Sequence, residues 1–493
     1  MTEAMICAPE LDLSHSTSAA PRTRTLSAKT RWIGLFAVLA ADLMNLLDST
    51  VVNVAAPSIR AELGGSLTTL QWLAAGYTLA LAVGLLVGGR LGDMFGRRRM
   101  LMIGISGFLA SSVGCAAAWS PEALIGFRVL QGVFGAAMIP QSFGLIRDLF
   151  GREVGKAFAT LGPVIGLATI LGPVVAGLLM NADWFGSGWR MIFLINLPLG
   201  AFSMIVGLRV LPALPPTARG VRLDLRGAVL AGAGVLMLVY PLVQGRELGW
   251  PTWSLVVLGA SLPTLAAFAW YQHRRSSAGS TPLVELSVFA RRSYSSGVAF
   301  LVAFFGAIVG FSLTVGLFLQ LGLHYSPLQA SLTLAASAIG AFIGSAFGGT
   351  MVSRLGRNIL HVGLALMTLG LAGLYMVFTF VGNQLGSWDL AAPLAVFGIG
   401  MGMIFVPLFD IIVGGLEDHE VGSASGLLSS FQQLGASLGV AVLGTVFFSS
   451  VGLQADAQTF VDAARPVVLL TIALTVVTFG LGFLLPHKAR LNT

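Results

Sequence analysis

The chain has 493 residues, of which 56% are apolar and only 10% are charged, and its mean hydropathy is +0.86. A soluble domain could not bury so much apolar surface, so the composition predicts a membrane protein. The net charge of +7 does not indicate nucleic-acid binding, because the basic residues are dispersed over the loops. The two cysteines, Cys7 and Cys115, fit neither a disulfide framework nor a metal-ligand spacing, so we expect no metal and no cofactor.

Apolar windows of roughly 20 residues, enough for a helix to cross about 30 Å of hydrocarbon, recur along the chain. Helices pair every backbone amide within one segment, and runs such as 467–485 lack the period-two alternation of a membrane barrel. The sequence therefore predicts an all-α polytopic membrane protein with fourteen transmembrane spans. We place them near residues 32–54, 70–91, 100–119, 123–146, 156–180, 190–211, 227–245, 253–271, 296–320, 328–351, 359–381, 390–412, 422–449 and 466–486.

An internal repeat organises these spans into two halves. At an offset of 260 residues, Gly88-Gly89 and Gly96-Arg97 align with Gly348-Gly349 and Gly356-Arg357. Parallel repeats of this kind build one large class of secondary transporters. The predicted organisation is a leader without a signal peptide, two six-helix halves separated by a linker with two inserted helices, and a short tail. The boundaries are 1–31, 32–211, 212–295, 296–486 and 487–493.

The positions of Lys and Arg give an independent test of this topology. We predict a multi-pass protein of the cell inner (cytoplasmic) membrane with both termini in the cytoplasm. In this topology 23 of the 28 basic residues fall on the cytoplasmic side, as the positive-inside rule requires. The five exceptions are Arg60, Arg128, Arg190, Arg246 and Arg465.

Several motifs resemble the major facilitator superfamily, specifically its fourteen-span drug:proton antiporter branch. The loop 89–99 is similar to the superfamily's most specific motif. Arg128-Val129-Leu130-Gln131-Gly132 resembles the Arg-x-x-Gln-Gly motif associated with proton coupling, and residues 172–177 resemble the antiporter signature, with Ala176 in place of one glycine. Residues 47–55 and 189–198 are similar to the fourteen-span branch. The resemblance covers about residues 32–486 and implies a major facilitator fold.

Asp48 and Arg128 are the strongest candidates for the site, because an ionisable residue inside a span costs at least about 2.5–3.5 kcal/mol. Each lies five or six residues from the outer end of its span, roughly 8–9 Å deep, so the two could pair. An Asp that alternately gains and loses an Arg partner can serve as a proton-coupling group. The alternative is a structural pair that fixes helix register, and Arg128 could also reach the headgroups.

Three other polar residues are candidates for binding substrate or protons. Asp42 lies near the middle of span one, and its offset of about 240° from Asp48 predicts that the two face different surfaces. Gln320 and Gln433 fall within second-half spans. Each of the three could instead bond a neighbouring helix.

Two motifs have predicted mechanical roles. In the loop motif, Gly88, Gly89 and Gly92 permit close helix approach, and Asp93 can interact with Arg97 or with a helix N-terminus. Gly96 is a further member of the motif. The resemblance implies that this cluster is a cytoplasmic latch between the halves; the alternative is that the arginines only set topology. In span five, Gly172 and Pro173, with Gly177 a turn later, predict a kink, which is either a gate or only a helix shape.

The predicted function is proton-coupled export of amphipathic drugs or antibiotics by alternating access, by a monomer in the lipid bilayer. No enzymatic motif occurs, and no phosphate-binding loop indicates ATP as the energy source, so the proton is the expected coupling ion. Two alternatives remain: a metabolite or nutrient symporter on the same fold, and a membrane sensor that binds without transport.

Overall fold

The computed structural model describes residues 27–153, 157, 172–216, 223–280, 282–413, 421–449, 451 and 456–486, and within these ranges the secondary structure is helical, with no β-strand. The helices of the first half are α1 Ala28–Leu63, α2 Leu67–Phe95, α3 Arg97–Ala116, α4 Pro121–Phe150, α5 Gly172–Ala182 and α6 Asn196–Val210, which follows a short turn Met191–Leu194. The inserted helices are α7 Leu225–Gln244 and α8 Thr252–Ser277.

The helices of the second half are α9 Arg292–Leu317, α10 Pro327–Leu355, α11 Asn358–Phe380, α12 Ser387–Val413, α13 Val421–Ser449 and α14 Ala457–Gly482. A short π-helical turn, Phe318–Gly322, extends α9. We call the end of the bundle where α1 begins and α14 ends the near end, and the opposite end the far end.

Thirteen segments in the described ranges are long and apolar enough to cross a membrane. The helix α5 is the described part of the predicted fifth span; the earlier part of that span, with Gly162-Pro163, lies outside the described residues, as do most of the leader and the tail. The polytopic helical fold is therefore confirmed.

Two span boundaries were predicted too short. The helix α1 continues to Leu63 rather than ending near residue 54, and α14 begins at Ala457 rather than near residue 466. Hydropathy detects only the part of a helix that lies in hydrocarbon, whereas backbone hydrogen bonding continues beyond it. At α14 the start is set by Asp456, whose carboxylate accepts a hydrogen bond from the backbone N–H of Thr459 at 2.8 Å.

Side-chain caps fix other helix starts in the same way. The hydroxyl of Ser120 accepts from the N–H of Ala123 at 3.2 Å, and the hydroxyl of Ser326 accepts from the N–H of Gln329 at 3.2 Å. Proline follows the cap in both α4 and α10, where its missing N–H costs no hydrogen bond. Both caps lie at the far end of the bundle, at the connections that precede α4 and α10.

The two halves contact each other toward the far end. There the Nε2 of Gln71 on α2 donates to the backbone oxygens of Val440 and Ala441 on α13, at 3.3 and 3.4 Å. Nearer the middle, the hydroxyl of Ser430 donates to the oxygen of Ala82 at 2.5 Å. The antiparallel helices α2 and α13 thus form one seam between the halves.

Small residues allow the closest helix contacts in the second half. A Cβ atom at Gly439 of α13 would lie only 2.0 Å from the backbone oxygen of Gly306 on α9, and one at Gly310 would lie 2.4 Å from the oxygen of Gly439. Backbone therefore packs directly on backbone, which is how membrane helices gain van der Waals contact in the absence of a hydrophobic driving force.

We expect Gly439→Val to destabilise the protein by roughly 1–3 kcal/mol, because the added side chain forces α9 and α13 apart. Gly426→Val on the same helix is the matched control, since a Cβ there has no atom within 4 Å. Thermal unfolding in detergent checks the difference, and equal melting temperatures for the two variants would contradict it.

Candidate functional site

The buried ion pair between α1 and α4 is the centre of the candidate site. The guanidinium Nη1 of Arg128 donates a hydrogen bond to Oδ2 of Asp48, and both residues have 0% of their surface exposed. The Nε of Arg128 donates to the backbone oxygen of Leu73 on α2 at 3.2 Å. One arginine therefore holds three helices together.

Three neutral polar side chains complete the surroundings of Asp48. The amide Nε2 of Gln131 donates to Oδ1 of Asp48 at 3.1 Å and to the hydroxyl of Ser112 at 2.8 Å. The amide of Asn196 donates to the same Oδ1 at 2.8 Å and to Ser112 at 3.2 Å. The Asp48 cluster, defined as Asp48, Ser112, Arg128, Gln131 and Asn196, therefore joins α1, α3, α4 and α6.

The arginine is also enclosed by an aromatic ring and by its own helix. Its guanidinium carbon lies 4.2 Å from the ring centre of Tyr77, a cation–π distance. Its Nη1 donates to Oε1 of Gln131 at 2.9 Å, and the thiol of Cys115 donates to that same oxygen at 3.3 Å. The guanidinium of Arg128 and the carboxylate of Asp48 therefore each have hydrogen-bond partners in addition to each other.

Sequence patterns identified only the charged members of this cluster. Gln131 and Asn196 stood within the family-like motifs but were not predicted to be site residues, and Ser112 was missed. The sequence did contain a signal for Gln131, because it follows Arg128 by three residues and therefore lies on the same helical face. No sequence signal links Asn196 to Asp48, since they are far apart in the chain and meet only by packing.

Asp42 lies on a different face of α1 from Asp48. It is half-buried, and its Oδ1 accepts a hydrogen bond from the hydroxyl of Ser142 on α4 at 2.7 Å. Half-buried positions recur along this face at helical spacing, and we call them the α1 stripe: Asp42, Leu46, Ser49 and Asn53.

The α1 stripe faces away from lipid. Ile33, on the opposite face of the helix, is apolar and 38% exposed, which marks the lipid side. Asp42 is nine residues from Ile33, about 180° around the helix. The partial exposure of the stripe, with three polar side chains in four, is therefore exposure to the interior of the bundle.

The two second-half glutamines lie apart from the Asp48 cluster. Gln320 is 8% exposed within the turn Phe318–Gly322, and its Nε2 donates to the backbone oxygen of Gly316 at 3.4 Å. Gln433 is half-buried on α13. Among the described residues, neither amide bonds to a member of the cluster.

The loop motif forms a charged cluster at the near end. Arg97 Nη1 donates to both carboxylate oxygens of Asp148 on α4, each at 3.1 Å, and Arg97 Nη2 lies 3.6 Å from Oδ1 of Asp93. Asp148 was not predicted. Arg90 donates from Nη2 to the backbone oxygen of Pro282 at 3.2 Å, which links α2 to the segment just before α9.

The glycines Gly89, Gly92 and Gly96 of the motif have different surroundings. Gly96 has a φ of +92° between α2 and α3, a conformation that favours glycine. A Cβ at Gly92 would lie 1.8 Å from Oε1 of Gln141, so that side chain would have to shift. At Gly89 the nearest atom, Cβ of Pro140, is 3.9 Å away, so that position has room for a side chain.

The antiporter-like segment touches both halves. A Cβ at Gly172 would lie 2.0 Å from the hydroxyl oxygen of Thr50 on α1, and a Cβ at Gly177 would lie 2.9 Å from Cα of Leu328 on α10. The kink predicted at Pro173 depends on the preceding helix, which lies outside the described residues.

A bundle of apolar helices around a buried charged cluster is the architecture of a polytopic membrane protein, and comparison with known proteins gives its class. The Major Facilitator Superfamily model matches residues 38–440, and the chain belongs to this family. It is a transporter and not an enzyme. The resemblance found in the motifs is thereby confirmed.

Two relatives and one solved structure illustrate the relationship. The chain is 46% identical over 440 residues to a "Probable actinorhodin transporter" of Streptomyces coelicolor, covering 88% of this chain and 75% of that protein. It is 34% identical to the "Tetracenomycin C resistance and export protein" of Streptomyces glaucescens, covering 85% and 77%. A structure of an auto-inhibited POT family peptide transporter shares the fold, with a TM-score of 0.65 at 14% identity over 92% of this chain and 96% of that one.

We expect Arg128→Met to destabilise the protein by about 3–5 kcal/mol, because it leaves the Asp48 carboxylate buried without a cation. Adding Asp48→Asn should recover most of that loss, since the amide retains partners in Gln131 and Asn196. A double-mutant cycle measured by reversible unfolding in mixed micelles checks the coupling. Additive losses in the double variant would contradict it.

Proposed function

We propose that the protein exports a small amphipathic antibiotic or drug across the cytoplasmic membrane in exchange for protons. The near end is then cytoplasmic, and the protein acts as a monomer by alternating access. Support comes from relatives whose names include transport, resistance and export of antibiotics, at identities of 34–46% over most of this chain. The positive-inside pattern supports the orientation.

The observation that carries the coupling mechanism is the completely buried Asp48–Arg128 pair at the junction of four helices. When Asp48 takes up a proton, its attraction to Arg128 is lost, and Arg128 keeps only the neutral partners Leu73, Gln131 and Tyr77. Helices α1 and α4 then lose their strongest link. A proton at this position can therefore change how the first half packs.

The α1 stripe provides the surface on which substrate binds in this proposal. Asp42 is its single carboxylate and has a hydrogen bond from Ser142 but no ion pair among the described contacts. A half-buried carboxylate in a low-dielectric interior attracts a cationic group or a hydrogen-bond donor of the substrate. Asp42 thus serves the substrate, and Asp48 serves the proton.

The energy available suits this exchange. Each charge that moves through 100 mV supplies roughly 2.3 kcal/mol. Each unit of pH difference adds about 1.4 kcal/mol. One proton per cycle is therefore enough for about a tenfold or greater accumulation ratio.

Uptake of a nutrient or metabolite by symport is the alternative on the same fold. The two mechanisms use the same proton site. In symport the substrate moves in the same direction as the proton, and in antiport it moves in the opposite direction. The resistance and export functions named for the relatives favour export.

In everted membrane vesicles that contain the protein, we expect accumulation of a cationic fluorescent dye to collapse when a protonophore is added. Vesicles without the protein provide the control. Dye accumulation that continues unchanged with the protonophore would contradict proton coupling, and dye that leaves the vesicles together with protons from an acidic lumen would indicate symport.

Substitution of the two α1 carboxylates should separate their roles. Asp48→Asn is expected to abolish proton-driven accumulation while dye binding remains measurable, because the coupling site cannot change charge. Asp42→Asn is expected to weaken dye binding about tenfold or more and to leave dye-independent proton binding intact. Equilibrium dye binding and vesicle transport, measured on both variants, check this, and full transport by Asp48→Asn would remove that residue from the mechanism.

A further inference from the structure

The inserted helices α7 and α8 have very unequal surroundings. Only 11% of the residues in the apolar 18-residue stretch of α8 are buried in the protein, compared with 39% for α7. The helix α7 packs on the seam between the halves: Val239 and Val243 form an apolar cluster with Leu79 of α2 and Ala441 of α13. The inserted pair therefore contacts the two halves through α7 at the place where they meet.

The far-end tip of this hairpin, residues 242–247, bonds to the first half. The carboxylate Oε2 of Glu247 accepts a hydrogen bond of 2.9 Å from the hydroxyl of Ser66, the residue that precedes α2. The indole N–H of Trp72 donates to Oε1 of Gln244 at 3.3 Å. The two partners are the residue that caps α2 and a residue in its first two turns.

The same tip bonds to the second half. Nη1 of Arg246 donates to the backbone oxygen of Phe448 at 3.0 Å, and its guanidinium carbon lies 5.6 Å from the ring centre of Phe448. The hydroxyl of Thr445 donates to the backbone oxygen of Leu242 at 2.7 Å. Both partners belong to the last turns of α13.

The charges of the tip match the two helix ends that they meet. Glu247 lies at the N-terminus of α2, where the helix dipole favours an anion, and Arg246 lies at the C-terminus of α13, where it favours a cation. Two adjacent residues of opposite charge thus bind two helices that belong to different halves.

Arg246 is also one of the five arginines that the charge pattern leaves on the far side. All five have protein partners, and four of them bind within one half: Arg60 to Gly65, Arg128 to Asp48, Arg190 to Glu62 and Arg465 to Phe378. Of these five, Arg246 is the one that lies in the inserted hairpin and bonds to the second half.

We propose that the tip is a clasp that holds the two halves together at the far end. The proposal rests on alternating access: when the far end opens, α2 and α13 separate, so the tip must release at least one of them. Hydrogen bonds at a partly exposed surface have small net free energies, so such a clasp can open and close in each cycle. Arg246 and Glu247 form its charged contacts.

The test measures the separation of the halves directly. Spin labels carried by non-canonical amino acids at the exposed positions Ala61 of α1 and Phe380 of α11 report the far-end distance by pulsed electron resonance in nanodiscs. We expect Arg246→Ala and Glu247→Ala each to raise the ratio of long to short distances about fivefold, and Arg246→Lys to restore the wild-type ratio.

Arg465→Ala is the matched control, because it removes an arginine bond to the end of a helix, at 2.8 Å, within a single half. It should leave the ratio unchanged. A ratio equal to wild type in Arg246→Ala, in Glu247→Ala and in their double variant would overturn the clasp. If the wild-type distance itself never changes with pH or added dye, alternating access fails, and the clasp fails with it; a wild-type distance that changes while the variants match it contradicts only the clasp.

Discussion

The high cost of a charge inside an apolar bundle governs the first half of this protein. Asp48 and Arg128 are each completely buried, and an isolated charge at such a position costs several kcal/mol. The pair is tolerated because Gln131, Asn196 and the backbone of Leu73 supply the remaining hydrogen bonds. These partners come from different helices, so α1, α2, α4 and α6 are held together at one buried ion pair.

The helices of the second half pack through contacts between uncharged groups. Aromatic contacts such as Phe311 with Phe397, whose ring centres are 4.9 Å apart, lie within the apolar core of that half. Glycine contacts such as Gly439 with Gly306 bring its backbones together. Neither kind of contact responds to a proton. The halves therefore differ in one respect: the first contains the buried ion pair, and the packing contacts named here in the second are between uncharged groups.

The inserted helices contact both halves. The helix α7 lies against α2, which holds Arg128 through the Leu73 carbonyl, and against α13 of the second half. A change in packing around Asp48 reaches α2 directly. In the proposed cycle, the tip at the far end therefore contacts a helix that also holds the proton site.

Sequence alone determined the helical class, most span positions and the choice of Asp48 and Arg128 as a candidate buried pair, because hydropathy and the cost of a buried charge are properties of single residues and short windows. It did not determine the helix ends at Leu63 and Ala457, which backbone hydrogen bonds and caps extend beyond the hydrocarbon. Nor did it identify Asn196 as a partner of Asp48. Such contacts depend on which faces of separate helices meet, and only tertiary packing decides that. The charge pattern marked Arg246 as an exception; the fold alone showed that it binds the end of α13.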